Sequence, residues 1–141
     1  MTITILGIPF SKQSARHTKS GIVYQTKKVK DAENNVRWQV IKQLPKGFIP
    51  YSKGVKVSKL WYIFPPTKQL LGSQKRVKQL ESGKLFIKTT KPDLTDNLNK
   101  GLFDAMQGIV YNNDSQICEM TNVMKCYGLR PRIEIEIKEI E

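Results

Sequence analysis

Residues 54–64 read Gly-Val-Lys-Val-Ser-Lys-Leu-Trp-Tyr-Ile-Phe, and this stretch decides the fold class. Val55 and Val57 flank Lys56 with the two-residue period of a half-buried strand. Leu60 to Phe64 is apolar throughout, so the later half reads as covered on both faces and the segment as a central strand. Pro65-Pro66 ends it, because proline has no amide to give a ladder. Working outward, Met1–Leu6 alternates Thr and Ile as a strand closed by Gly7 and Pro9, and Leu85–Thr90 is another, broken at Pro92. Ile117–Tyr127 alternates with Cys118, Met120, Met124 and Cys126 on one face, which makes both cysteines core residues. After a turn at Gly128–Pro131, Ile133, Ile135 and Ile137 alternate with Glu134 and Glu136; the last two strands are expected to form an antiparallel hairpin.

Two longer segments carry helical spacing. Val29, Ala32, Val36, Val40 and Ile41 recur over Thr26–Leu44, and Pro45 and Gly47 stop that helix. Leu98, Leu102, Ala105 and Met106 share one face of a helix expected over Thr95–Gln107, with Thr95 as N-cap and Gly108 beyond its end. A shorter basic helix is expected over Ser73–Leu80. Ser11–Tyr24 reads as a loop or irregular arm, Ile109–Tyr111 as a short extended piece, and Asn112–Asp114 as a turn. The expectation is an α+β fold: a mixed β-sheet packed against two main helices, in a single domain over residues 1–141.

The chain has 141 residues and a formal net charge of +12. Residues 1–91 hold 19 Lys/Arg against 3 Asp/Glu, and residues 92–141 hold 5 against 9, so +16 and −4 give the +12. A basic body of this kind favours polyanions, most simply nucleic acid. No apolar run approaches the roughly 20 residues that span a bilayer. The N-terminus lacks the pattern of a secretory signal, so the expected location is cytoplasmic and no membrane partner is expected. Two cysteines and one histidine, His17, do not supply a zinc site. His17 sits in a polar stretch that argues against a Cys–His catalytic pair.

Against this basic background the carboxylates are informative. Asp93, Asp96, Asp104 and Asp114 lie within residues 93–114, and three of them fall at expected element ends, where functional groups commonly sit on a rigid scaffold. A bare carboxylate repels phosphate, so a cluster of them in a polyanion-binding chain makes sense when a hard cation intervenes. Mg²⁺ takes one or two carboxylates and completes its shell with water and substrate phosphate. The same residues also have plain structural readings. Asp96 can complement a helix dipole or pair with Lys100 four residues on, Asp104 can be solvated or capping, and Asp114 can shape a turn.

The stretch Lys91-Pro92-Asp93-Leu94-Thr95-Asp96-Asn97-Leu98-Asn99-Lys100, then Asp104-Ala105-Met106, then Gly108-Ile109-Val110-Tyr111-Asn112-Asn113-Asp114-Ser115-Gln116-Ile117, resembles the RusA family of Holliday-junction resolvases, the crossover junction endodeoxyribonucleases. Weaker similarity extends to Gly7-Ile8-Pro9 with Lys12 and Arg16, and to Lys125 and Arg130–Ile135. The resemblance implies a Mg²⁺-dependent homodimer that resolves four-way DNA junctions by paired symmetric nicks in recombination and repair. By position, Asp96 and Asp114 match metal-binding carboxylates, Asp93 matches the first aspartate of the motif, and Lys100 matches a lysine important for catalysis. Two departures stand out. Leu94 and Thr95 separate the first two aspartates where the family has one residue, and Asn113-Asp114 replaces a pair of aspartates.

The expected activity is metal-assisted hydrolysis of a DNA phosphodiester. Catalytic roles fall to Asp93, Asp96, Asp114 and Lys100, with the three aspartates on Mg²⁺. Lys12, Arg16, Lys27, Lys28, Lys75, Arg76, Lys78 and Lys125 are candidates for phosphate contacts, which position without reading sequence. The competing readings are a nuclease for other branched DNA and a non-catalytic protein that binds DNA junctions.

Overall fold

In the computed structural model, residues 54–64 form strand β4 (Gly54–Phe64) of a six-stranded mixed sheet. The structure describes residues 1–12, 16–17, 23–24 and 26–141, except for the side chains of 16, 17, 23 and 24. The chain forms two compact units: Met1–Pro9 with Lys53–Lys91 and Ile117–Glu141, and Phe10–Ser52 with Pro92–Gln116.

The first unit holds the sheet. Its order runs β1 (Thr2–Leu6), β8 (Arg132–Ile140), β4, β7 (Val123–Tyr127), β5 (Phe86–Ile87), and β6 (Ile117–Met120) also pairs with β4. β4 is antiparallel to β8 and parallel to β6 and β7. One irregularity explains its sequence. The ladder with β8 pairs Val57 with Ile137 and then Lys59 with Glu136, so Ser58 is an extra residue. A bulge of one residue reverses which parity faces the core. Val55 and Val57 before it, and Leu60, Tyr62 and Phe64 after it, therefore share a face. Two buried rows cross the sheet there, Leu60–Ile135–Ile3 and Tyr62–Ile133–Ile5, and all six side chains are at most 3% exposed. Ile63 and Cys126 are opposed in register and equally buried. This second buried position makes the later half of β4 apolar on both faces.

The expected hairpin between the last two strands does not form. β4 lies between β7 and β8. The connecting residues pass the end of β4, where the Gly128 amide donates to the Phe64 carbonyl (2.9 Å) and Pro131 accepts from Gly7 (3.1 Å). The alternating run of 117–127 is broken at Thr121-Asn122, where Asn122 takes a positive φ of 54°. The break sits beside the bulge, with Thr121 donating to Val57 (2.9 Å) and Leu60 donating to Asn122 (3.0 Å). The core assignment holds for Cys126 and fails for Cys118, which is exposed. β7 has strands on both sides, whereas β6 pairs with β4 alone. Helix α3 (Gln74–Glu81) follows Ser73, whose hydroxyl caps it, as the sequence indicates. A one-turn helix, α2 (Lys68–Leu71), precedes it and is too short to carry a periodic signal.

In the second unit, α1 (Lys27–Gln43) starts at Thr26, whose hydroxyl accepts from the Val29 amide (3.3 Å). Val36 and Val40 are buried, but Ile41 is 53% exposed and does not belong to the buried stripe expected for it. Within the segment expected to be irregular, β2 (Arg16–His17) pairs antiparallel with β3 (Val23–Tyr24). Residues 13–15, 18–22 and 25 lie outside the described residues. Ile109–Tyr111 is a turn rather than an extended piece, closed by Gly108 donating to the Tyr111 carbonyl (2.7 Å) with Gly108 at φ 83°. Among the described residues no helix is long and apolar enough to cross a membrane.

These assignments fix the stability pattern. Leu60→Ala is expected to cost about 2–5 kcal/mol, through lost transfer energy and a cavity. Ile41→Gln is expected to stay within about 0.5 kcal/mol of wild type. Urea denaturation of the two variants checks both values.

Candidate active site

The motif aspartates all belong to the second unit. The segment after Lys91-Pro92 does not open as an α-helix capped by Thr95. Leu94–Leu98 forms a π-turn that begins after Asp93, with the Leu98 amide donating to the Asp93 carbonyl (3.1 Å), and α4 (Asn99–Met106) continues from it. A π-turn closes five residues back instead of four, so it takes up one residue more than an α-turn. The two residues between Asp93 and Asp96 are accommodated in this way. Thr95 lies inside the turn and caps nothing.

The turn is held by the segment before it in sequence. The Lys12 amide donates to the Asn97 carbonyl (3.0 Å). Gly101 permits this approach, since a Cβ there would stand 3.0 Å from the Phe10 ring. The Lys12 ammonium lies between Glu33 of α1 (3.0 Å) and Asp104 of α4 (3.1 Å). Burial works against its charge, but the hydrogen bonds it donates to Glu33 and Asp104, with their negative charges, outweigh that and raise its pKa above the ordinary lysine value. Lys12, a candidate phosphate contact by sequence, is thus engaged inside the unit, and Asp104 is its partner. Arg37 of α1 donates to the Ala105 (2.9 Å) and Gln107 (3.1 Å) carbonyls at the end of α4, where a cation also offsets the helix dipole.

Asp114 starts a single 3₁₀ turn, Asp114–Gln116. Its amide donates to Gln107 Oε1 (3.0 Å), and Asn113 Oδ1 accepts from the Ser115 amide (2.9 Å). Gln116 reaches both the Asn113 amide (2.7 Å) and the Tyr51 carbonyl (2.8 Å). Asn113, standing where an aspartate was expected, therefore shapes the turn as an acceptor, a task for which Asn and Asp are equivalent. Beneath it, the buried Tyr111 hydroxyl donates to the Phe103 carbonyl (2.6 Å). Burial, then the charges of Asp114 and Asp104, push its pKa far up, so it stays a neutral donor. Of these supports, Tyr111 and Gln116 lay in the recognised stretch. Arg37 and Gln107 carried no sequence signal of their own.

Asp93, Asp96 and Asp114 are exposed, and among the described residues none of them is in an ion pair. Asp96 and Lys100 do not pair either, as expected where a π-turn removes the α-helical stagger of positions four apart. Each of the three offers hard carboxylate oxygens without a protein cation, the ligand type that Mg²⁺ takes. Among the described residues no three His, Cys, Asp or Glu side chains are grouped so as to hold a metal ion, so Asp93, Asp96 and Asp114 do not form one three-carboxylate ligand set here. Of the other basic candidates, Lys27 and Lys28 are exposed on α1, Lys75, Arg76 and Lys78 are exposed on α3, and Lys125 donates to the Thr90 carbonyl (2.7 Å). The Arg16 side chain lies outside the described residues.

Comparison with known proteins places the chain by class and then by family. The model for endodeoxyribonuclease RusA matches residues 7–138, nearly the whole chain. The uncharacterized protein YqaN of Bacillus subtilis (strain 168) is 38% identical over 91 residues, which cover 64% of this chain and 58% of that protein. The chain belongs to the RusA endodeoxyribonuclease family.

Lys12→Met is expected to cost about 1.5–3 kcal/mol at neutral pH, in the range of hydrogen bonds to charged groups, because Glu33 and Asp104 are left facing one another. The folded-state pKa of Lys12 lies above the ordinary lysine value of 10.5. Its contribution is therefore complete below that value and fades as pH rises through the raised pKa. Denaturation curves should give a constant gap between wild type and Lys12→Met from neutral pH to about 9, closing at higher pH.

Proposed function

We propose that this protein is a Mg²⁺-dependent endonuclease that resolves four-way DNA junctions by paired symmetric nicks, acting as a homodimer in recombination and repair. The observation that carries the reading is the set of unpaired carboxylates at Asp93, Asp96 and Asp114 in a chain of net charge +12. With Lys/Arg twice as numerous as Asp/Glu, three exposed aspartates without a cationic partner are costly in a DNA-binding protein unless a metal ion meets them.

Asp96 and Asp114 would hold the ion, with Asp93 at the mouth of the π-turn as the third carboxylate. When bound, the ion supplies charge neutralisation at the reacting phosphate and acidifies water. The chain's own groups do the positioning. The π-turn sets the direction of Asp96. Gln107, Asn113 and Gln116 hold the turn that presents Asp114. Lys100, free of any carboxylate among the described residues, offers a cation to the phosphate or the leaving oxygen. Lys27, Lys28, Lys75, Arg76, Lys78 and Lys125 supply backbone contacts, and selection for a junction over duplex comes from its geometry. A two-fold dimer suits a substrate needing two matched cuts, since each subunit presents one site.

A labelled synthetic four-way junction, with linear duplex as control, tests the reading. Mg²⁺-dependent paired nicks on the junction are expected, abolished by EDTA. Asp96→Asn and Asp114→Asn should each reduce cleavage at least about 100-fold, and Lys100→Met should lower kcat by about 10²–10³. Binding without cleavage in any divalent metal would leave a junction-binding protein. Cleavage of flaps in preference to junctions would reassign the substrate.

A further inference from the structure

Beyond the motif aspartates, the first unit holds a second group of functional side chains at the junction of β5 and β7. The Lys88 amide donates to the Lys125 carbonyl (3.2 Å), which extends the β5–β7 ladder by one step and sets the two lysines across from each other. Like charges directly opposite in a sheet are unfavourable. Here they converge instead of diverging. The Lys88 ammonium donates to Thr90 Oγ1 (2.8 Å) and the Lys125 ammonium to the Thr90 carbonyl (2.7 Å). Lys88 also donates to the Tyr127 hydroxyl (3.3 Å), which lies 3.3 Å from Thr90 Oγ1. The aromatic faces of Tyr127 and Phe64 stand 4.9 and 5.0 Å from the Lys88 ammonium.

Among the described residues no carboxylate pairs with Lys88. Its ammonium has three protons to donate, and its partners here are hydroxyls and ring faces. The Tyr127 phenol responds to the same field. The Thr90 hydrogen bond lowers its pKa, burial opposes this, and the hydrogen bond and charge of Lys88 and the charge of Lys125 lower it further. Two cations, a threonine hydroxyl and a phenol therefore share one partly exposed corner, and no carboxylate among the described residues pairs with its Lys88 ammonium. Thr90 stands three residues before Asp93 in the chain.

The geometry points to Lys88, Thr90 and Tyr127, together with Lys125, as a clamp for one phosphodiester of the DNA backbone. This rests on the nuclease reading above and adds three residues to the basic positions already named. In the clamp, Lys88 and Lys125 contribute charge, and the two hydroxyls donate to the non-bridging oxygens. The hydroxyls are then directional donors, which separates this site from a general basic surface.

The test is junction binding by fluorescence anisotropy in EDTA, across a range of salt, for wild type, Lys88→Gln, Tyr127→Phe and Lys88→Arg. Thermal melting confirms that each variant is folded. Lys88→Gln is expected to bind about 5–10-fold more weakly and to lower the magnitude of the slope of log K against log salt by about 1, as the loss of one phosphate contact does. Tyr127→Phe should weaken binding with the slope unchanged, and Lys88→Arg should restore most of both quantities. A scan of single methylphosphonate substitutions should find one position that penalises wild type but not Lys88→Gln. A folded Lys88→Gln with the wild-type affinity and slope overturns the clamp and leaves the nuclease reading standing. If wild type binds no branched or duplex DNA, both fall together.

Discussion

The sheet depends on the single extra residue at Ser58. Without it, the alternation begun by Val55 and Val57 would turn Leu60, Tyr62 and Phe64 away from the face that Ile133, Ile135, Ile3 and Ile5 fill. A one-residue slip moves a whole hydrophobic set to the other side of a sheet. The bulge makes that shift once, on purpose, and the neighbouring strand answers it. Thr121 and Asn122 break the run of β6 and β7 beside Ser58, with Thr121 Oγ1 donating to the Ser58 carbonyl (3.4 Å) and Trp61 donating to Asn122 Oδ1 (3.1 Å). On the β8 side Ser58 Oγ donates to the Glu136 carbonyl (3.5 Å), so hydrogen bonds hold the kink on both edges of β4.

The second unit shows the same device in a helix. One residue too many between Asp93 and Asp96 would rotate everything after it by about 100° in an α-helix, moving Leu98 and Leu102 off the core. The π-turn takes up that residue locally, and both leucines are fully buried. Such turns are rare and concentrate at functional sites. Their cost is offset here by the Lys12 backbone bond to Asn97 and by the packing of Phe10 over Gly101. Lys12 therefore does two jobs, with its amide on the π-turn and its ammonium on Asp104 one helical stretch later. This explains why a lysine that looks like a DNA contact in a basic sequence is directed inward.

What could be read from the sequence follows from the range of the interactions concerned. Strands β1, β4 and β8 and helices α1 and α3 announce themselves because their periodicity and caps are local. The order of the strands does not, because a four-residue link after Tyr127 is compatible with a hairpin and with passing the end of β4. Gly128 bonding to Phe64 decides it, at a sequence separation no pattern conveys. Cys118 and Cys126 share a parity but not a depth, since depth depends on how many neighbours a strand has. In the candidate site, the proposed aspartates stood out as residues that do not fit a basic background. The Arg37 and Gln107 supports were not legible: Arg37 reaches backbone carbonyls far along the chain, and Gln107 holds the Asp114 amide through a side-chain bond that no periodicity marks.

Charge organises both units. A DNA-binding surface needs cations free to meet phosphate, and a folded chain tends to use its carboxylates to neutralise them. The two tendencies are kept apart by spending the acidic residues selectively. Glu33 and Asp104 pair with Lys12, Glu134 with Lys59 and Arg132, and Glu119 with Lys56. These pairs fall within sheet or helix frameworks, where they steady the fold. The helix cations of α3 and Lys88 are left out of such pairing among the described residues, and so are Asp93, Asp96 and Asp114. Unpaired charges of both signs are stable when something supplies the counter-charge from outside. In the proposed function that is a phosphodiester for the lysines and a divalent cation for the aspartates. A metal ion shared with substrate phosphate is the one species that draws carboxylates and DNA to the same place, because it removes the repulsion that would otherwise drive them apart.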